Sequence, residues 1–187
     1  MGTIKATNIE PIADNGTVTL GGSGDTITVP TGVTVGGLMS NTPAFEAHLN
    51  SDQTFSDAAT VKVTFDNETF DTDNCYDNST NYRFTPTVAG KYFVYTELSL
   101  DGSGGGDNLS DLRPYFYKNG SSVKSQLNNF GTHYINNYPL QIRQVIDMNG
   151  TSDYLEVYVY ANVTSGSPFL QHEDQKCIFG AYRLIGV

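Results

Sequence analysis

The stretch "YLEVYVYANV" (154–163) sets a small or branched apolar residue at every second position: Leu155, Val157, Val159 and Ala161. Between them stand Tyr154, Glu156, Tyr158 and Tyr160. A period of two sends these sets to opposite faces, which makes the segment a half-buried β-strand. The pattern recurs along the chain. "GKYFVYTELSL" (90–100) puts Tyr92, Val94, Thr96, Leu98 and Leu100 on one face and Phe93, Tyr95 and Glu97 on the other, and "TVKVTF" (60–65) aligns Val61, Val63 and Phe65. "DLRPYFYKNGSSVKSQ" (111–126) is centred on Asn119-Gly120, a pair that accepts positive φ and so predicts a tight hairpin. "KCIFGAYRLIGV" (176–187) is an apolar terminal strand of the kind found mid-sheet. No stretch sustains a helical period, and eight or more short strands with turn signals between them predict an all-β sandwich.

The charge balance narrows the partners. Twenty acidic residues against ten basic ones give a net charge of −10, which opposes binding to a phosphate backbone. Nucleic acid is therefore excluded. No apolar run approaches the roughly 18–20 residues of a membrane span, so no membrane insertion is expected. "MGTIKATNIEPIADNG" has no apolar core of a secretory signal, which implies synthesis in a reducing cytoplasm. Two cysteines, Cys75 and Cys177, make no disulfide framework, and whether they pair is left open.

Residues 1–41 differ from the rest. "TVTLGG" (17–22) and "TITVPTG" (26–32) are two copies of one unit nine residues apart, and "VTVGG" (33–37) is a shortened third. Such a unit has almost nothing to bury alone. Either it is a Gly/Thr linker, or several chains bring edges such as Val29, Val33 and Val35 together in a β-repeat stalk; the persistent Thr/Val alternation favours the stalk.

Catalytic constellations are missing. There is no nucleophile elbow, phosphate loop or zinc-protease motif, and His48, His133 and His172 lack ligand spacing. Glu68, Asp71, Asp73 and Asp77 could pair for glycoside hydrolysis, but their segment is turn-rich and polar. The same "DNETFDTDNCYD" offers hard oxygen ligands for calcium, yet it has no glycine at the turn position and no closing glutamate. The expectation is a non-enzyme without a cofactor or resident metal, calcium being the one ion this segment could take.

Five segments in order carry a family resemblance. "NYRFTPTVAGKYFVYTELSL" resembles the signature of the globular head of complement component 1q and its tumour-necrosis-factor-like relatives, at Phe84, Pro86, Gly90 and Tyr92. "PAFEAHLNSDQ" (43–53) resembles the opening strand, "FDNETFDTDNCYDNSTNYRF" the lead-in, "YFYKNGSSV" the hairpin, and "NGTSDYLEVYVY" with "IFGAYRL" the last two strands. The resemblance covers 42–187 and implies a jelly-roll head that assembles as a homotrimer. Two departures are the Gly-rich "DGSGGGDN" (101–108) and a Thr/Gly stalk in place of collagen-like repeats. The pairing of the leader, the "GDTITVP" repeats and this head resembles fibre or virion structural proteins of bacteriophages.

These readings combine into one expectation. Residues 1–41 form an attachment segment, bound to other virion proteins, and a trimeric stalk; residues 42–187 form the head. Tyr154, Tyr158 and Tyr160, turned out of the sandwich, are expected to line the three-fold interface with Val29, Val33 and Val35, because soluble monomers avoid large apolar patches. The head would bind a host surface glycan or protein, with surface-loop aromatics such as Tyr134 and Tyr138 able to stack on sugars. Capsid or tail decoration without a receptor is the alternative, and a secreted lectin-like module is a third reading, opposed by the N-terminus.

Overall fold

The computed structural model describes residues 22–24, 26, 41–102, 106 and 108–185. The chain divides into two units, Met1–Gly37 and Leu38–Val187, and the strands described below all belong to the second. Val29, Val33 and Val35, and the stalk they were expected to form, lie outside the described residues.

Fourteen strands are present among the described residues. In chain order they are β1 (Ala44–His48), β2 (Gln53–Thr54), β3 (Ala59–Lys62), β4 (Asn67–Asp71), β5 (Tyr76–Asp77), β6 (Arg83–Phe84) and β7 (Gly90–Asp101). They continue with β8 (Leu109–Lys118), β9 (Ser121–Ser125), β10 (Asn128–Asn129), β11 (Asn137–Met148), β12 (Leu155–Val163), β13 (Phe169–Leu170) and β14 (Ile178–Arg183). Sheet A runs β2-β13-β7-β14-β1-β4 with β11 also on β7. Sheet B runs β10-β8-β12-β6-β5, with β3 on β12 and β9 on β8. All the strand pairs are antiparallel. The one helical piece among the described residues is a single 3₁₀ turn, Glu173–Gln175.

The period-two alternation decides what fills the core. Tyr92, Val94, Thr96, Leu98 and Leu100 of β7 are all at most 1% exposed, and Leu155, Val157, Val159 and Ala161 of β12 are fully buried from the other sheet. Phe45 stacks on Tyr76 and Phe84, each at 4.6 Å, and meets Phe179 edge-on at 4.9 Å. Aromatic pairs of this geometry add to the burial of their area.

The signature segment has a mechanical role. Phe84, Pro86 and Tyr92 are buried, Tyr92 lies edge-on to Phe84, and its hydroxyl donates to the Val88 carbonyl at 2.7 Å. The bond closes the loop that feeds β7. Beneath this loop Gly150, at φ +71°, comes so near Ala89 that a Cβ would lie 2.2 Å from the Ala89 nitrogen.

Several expectations are met in detail. Asn119 and Gly120 take φ of 52° and 78° and close the β8–β9 hairpin. β14 lies mid-sheet, between β7 and β1. "TVKVTF" differs, because β3 stops at Lys62. There the Gln53 side chain takes over the pairing, donating to the Lys62 carbonyl and accepting from the Thr64 amide. The strand β11, twelve residues long, was not among those expected.

Candidate functional site

The two ends of the head differ in what they carry. Ala44, at the start of β1, pairs with Tyr182 near the end of β14, so both ends of the head's chain emerge together. His48, closing β1, pairs with Ile178 at the opposite end. β7 closes there too, since Glu97 pairs with Ile178 and Asp101 with Asn137. The connections 49–58, 126–136 and 164–177 are therefore gathered at the end away from Ala44.

At that far end a hollow of about 440 Å³ is lined by His48, Asn50, His172 and Glu173–Gln175. Sequence spacing gave no sign that His48 and His172 line one hollow; β1 and the segment before β14 bring them to it. His48 contacts Thr69 and Asn67 through its two ring nitrogens. Asp52 accepts from the His172 amide at 2.9 Å and lies 2.7 Å from its Nδ1. The hydrogen bonds from His172 hold the Asp52 carboxyl below its ordinary value. His133 is exposed on another loop.

The acidic segment near the other end is built as a set of caps. Asp77 accepts from the amides of Ser79, Thr80 and Asn81 and from the Asn81 side chain, which holds its carboxyl far below the usual range. Asp71 accepts from the Tyr76 and Asp73 amides, and the Cys75 thiol donates to it. Burial first, then the charge of Asp71, raises Glu68. Asp71 and Asp77 are occupied with backbone amides, and among the described residues no cluster of three or more His, Cys, Asp or Glu is placed to hold a metal ion. Cys75 and Cys177 are unpaired and buried, and desolvation pushes the Cys177 thiol up to about 11. Neither is a poised nucleophile.

Both outer faces of the sandwich carry aromatic residues, but they are differently finished. On sheet B, Tyr154, Tyr158 and Tyr160 point outward as the alternation requires, and each is half-buried. Arg83 sits over Tyr154 at 4.5 Å, Lys62 over Tyr158 at 5.9 Å and Arg113 beside Tyr160 at 5.7 Å. Tyr117 packs on Tyr158 with centroids 4.2 Å apart, and Glu156, only 5% exposed, is held by Lys62 at 2.5 Å.

Sheet A's outer face is more openly apolar. Val145, Phe93 and Tyr182 lie side by side across β11, β7 and β14. Val145 is 46% exposed, Tyr182 36%, and Phe70 on β4 45%. The next row holds Arg143, Tyr95, Gly180, Glu46 and Phe70. Gly180 leaves the room there for Tyr95 to lie across it and donate to Glu46 at 2.7 Å, and a Cβ would meet its ring at 2.4 Å. Of the two aromatics expected on surface loops, Tyr134 is exposed, whereas Tyr138 belongs to strand β11 and packs edge-on against Phe130 at 5.1 Å.

No protein-family model matches the chain, and no curated protein matches it. Solved structures do. The fold is that of the tumour-necrosis-factor and complement 1q globular domains. Eiger TNF from S. frugiperda is similar at a TM-score of 0.53 and 13% identity, over 77% of this chain and 93% of that one. Murine APRIL is similar at 0.54 and 10% identity, over 75% and 98%. The globular domain of zebrafish complement 1qA is similar at 0.50 and 17% identity, over 78% and 98%. At these identities the likeness concerns the jelly roll alone.

Proposed function

We propose that this chain is a bacteriophage virion fibre protein whose head assembles as a homotrimer and binds the host cell surface without catalysis. The polarity of the head carries the reading: its chain ends emerge beside Ala44 and Tyr182, so the loops at the other end project if residues 1–41 attach to the particle. The trimer contact is better served by sheet A than by the tyrosines of sheet B. Val145, Phe93 and Tyr182 form an apolar row open to water, with Phe70 exposed on β4 beyond Glu46, the kind of surface an interface covers. Tyr154, Tyr158 and Tyr160 already lie under or beside cations.

Three heads on one fibre, and many fibres on one particle, would turn weak single contacts into firm attachment. The full-length protein, labelled and clustered on beads, should stain susceptible cells, leave receptor-deficient mutants bare and slow adsorption when added before phage. If clustered protein neither stains nor competes, and particles lacking it adsorb at the normal rate, a decorating role replaces this one.

A further inference from the structure

The outer face of sheet B has a composition its fold does not need. Five tyrosines, Tyr115, Tyr117, Tyr154, Tyr158 and Tyr160, share it, and Tyr115 and Tyr158 are directly opposed on β8 and β12. Tyr117 joins them, 6.0 Å from Tyr115 and 4.2 Å from Tyr158. All five are half-buried; Tyr115 and Tyr117 meet at 70° and Tyr117 tilts 34° from Tyr158, so the cluster presents ring edges as well as faces.

Their hydroxyls set them apart from the tyrosines that hold the fold together. Tyr76, Tyr92 and Tyr95 each donate to a partner within the chain, Phe65, Val88 and Glu46 respectively. Those of Tyr117, Tyr154, Tyr158 and Tyr160 have no hydrogen-bond partner among the described residues. Ser122 faces the same side, opposite Tyr117, and Ser125 does so opposite Tyr115. Thr60 stands beside Tyr160 on β3. The face thus offers apolar rings with free hydroxyls at their tips and edges.

Charge decides between ligands. Lys62 is neutralised by Glu156 at 2.5 Å and Arg113 by Asp111 at 3.1 Å, leaving Arg83 at the margin, stacked on Tyr154. A face whose ions are satisfied internally gives little to an anionic ligand and repels none that is uncharged. Half-buried rings whose remaining exposed faces and edges shed water, with hydroxyls that give and accept hydrogen bonds, suit a pyranose ring: its C–H face against exposed tyrosine carbons, its hydroxyls toward the tyrosine, serine and threonine hydroxyls and the cations beside them.

From these features we infer that the tyrosine face of sheet B is a binding platform for an uncharged saccharide. The inference rests on the host-binding reading above and names the chemistry of its receptor. The strip proposed for trimer contact is on the other sheet, so assembly leaves three platforms open.

The full-length protein is titrated with cellotetraose, maltotetraose and, as the acidic comparison, a hyaluronan tetrasaccharide. Tyrosine fluorescence and saturation-transfer NMR report binding; the chain has no tryptophan to mask the signal. At least one neutral sugar should bind saturably in the millimolar range. Tyr117→Ala and Tyr158→Ala should weaken it by about tenfold each, Tyr117→Phe and Tyr158→Phe by less, and Tyr182→Ala should leave it unchanged, with circular dichroism confirming that each variant is folded. Binding of neither neutral sugar, binding of the acidic one alone, or binding untouched by both alanine variants overturns the platform. Host cells stained normally by Tyr117→Ala and Tyr158→Ala protein would overturn it too, while sparing the host-binding reading. Sugar binding lost in those variants, without any cell staining, upholds the platform and removes the host-binding reading instead.

Discussion

At single positions, two glycines separate backbone constraint from side-chain constraint. Gly150 takes φ +71°, and what a Cβ would strike is the backbone of Val88 and Ala89, which cannot move without opening the loop that feeds β7. Gly150→Ala should cost about 3 kcal/mol, combining left-handed strain with overpacking, read as a lower urea midpoint. At Gly180 the obstacle is the far end of Tyr95, which can swing away. Gly180→Ala should cost less, about 1 kcal/mol, and break the Tyr95–Glu46 hydrogen bond. Acid acts at the same scale. Asp77 and Asp153 are held below the ordinary aspartate value of 3.8, Asp77 chiefly by backbone amides and Asp153 chiefly by Lys118. A depressed folded-state pKa adds stability that is present above the unfolded value and lost as pH falls through the folded one. Stability should therefore fall as pH drops below about 4, and Asp77→Ala should be more harmful at pH 7 than at pH 2, which urea titrations at the two pH values would show.

At the scale of elements, the hairpin β8–β9 was legible because its turn residues have a conformational reason to be there. Asn119 also does what no turn rule anticipates: its side chain donates to Asp153 at 2.7 Å and accepts from the Tyr154 amide at 3.0 Å, tying the hairpin to the turn before β12. Gly120→Ala meets only ordinary contact with Tyr154 and should cost about 1 kcal/mol of backbone strain. Asn119→Ala loses two hydrogen bonds as well and should cost about 2 kcal/mol, the larger drop in a urea midpoint. β11 was hidden by its own exceptions. Pro139 is a poor mid-strand residue, and Gln144 occupies the inward row between Ile142 and Ile146, interrupting the apolar alternation. Proline is tolerated because β11 pairs only with β7 and keeps a free edge. The outward tyrosines of β12 were equally legible, but the cations above them come from β3, β6 and β8, and local periodicity says nothing of such neighbours. The strip on sheet A was divided among segments for the same reason: Val145, Phe93 and Tyr182 lie far apart in the chain and meet only through strand register.

At the scale of the whole molecule, the two outer faces make opposite predictions for the same kind of substitution. Val145 is 46% exposed at an open edge strand, so a carboxylate there costs little in the isolated head. If sheet A forms the trimer contact, Val145→Asp places that carboxylate in a partly dehydrated interface beside apolar partners, where it is unpaired and repelled by its symmetry mates. Tyr158→Asp sets a carboxylate next to Glu156, but also within reach of Lys62, on a face that assembly leaves in water. Light scattering coupled to gel filtration should therefore find wild type and Tyr158→Asp at three chain masses, and Val145→Asp at one, at the same micromolar concentration. Circular dichroism should find all three folded, which separates lost assembly from lost structure. Dissociation of Tyr158→Asp with Val145→Asp intact would return the three-fold axis to Tyr154, Tyr158 and Tyr160, and would close the face assigned to the saccharide. A wild-type monomer would remove the trimer altogether.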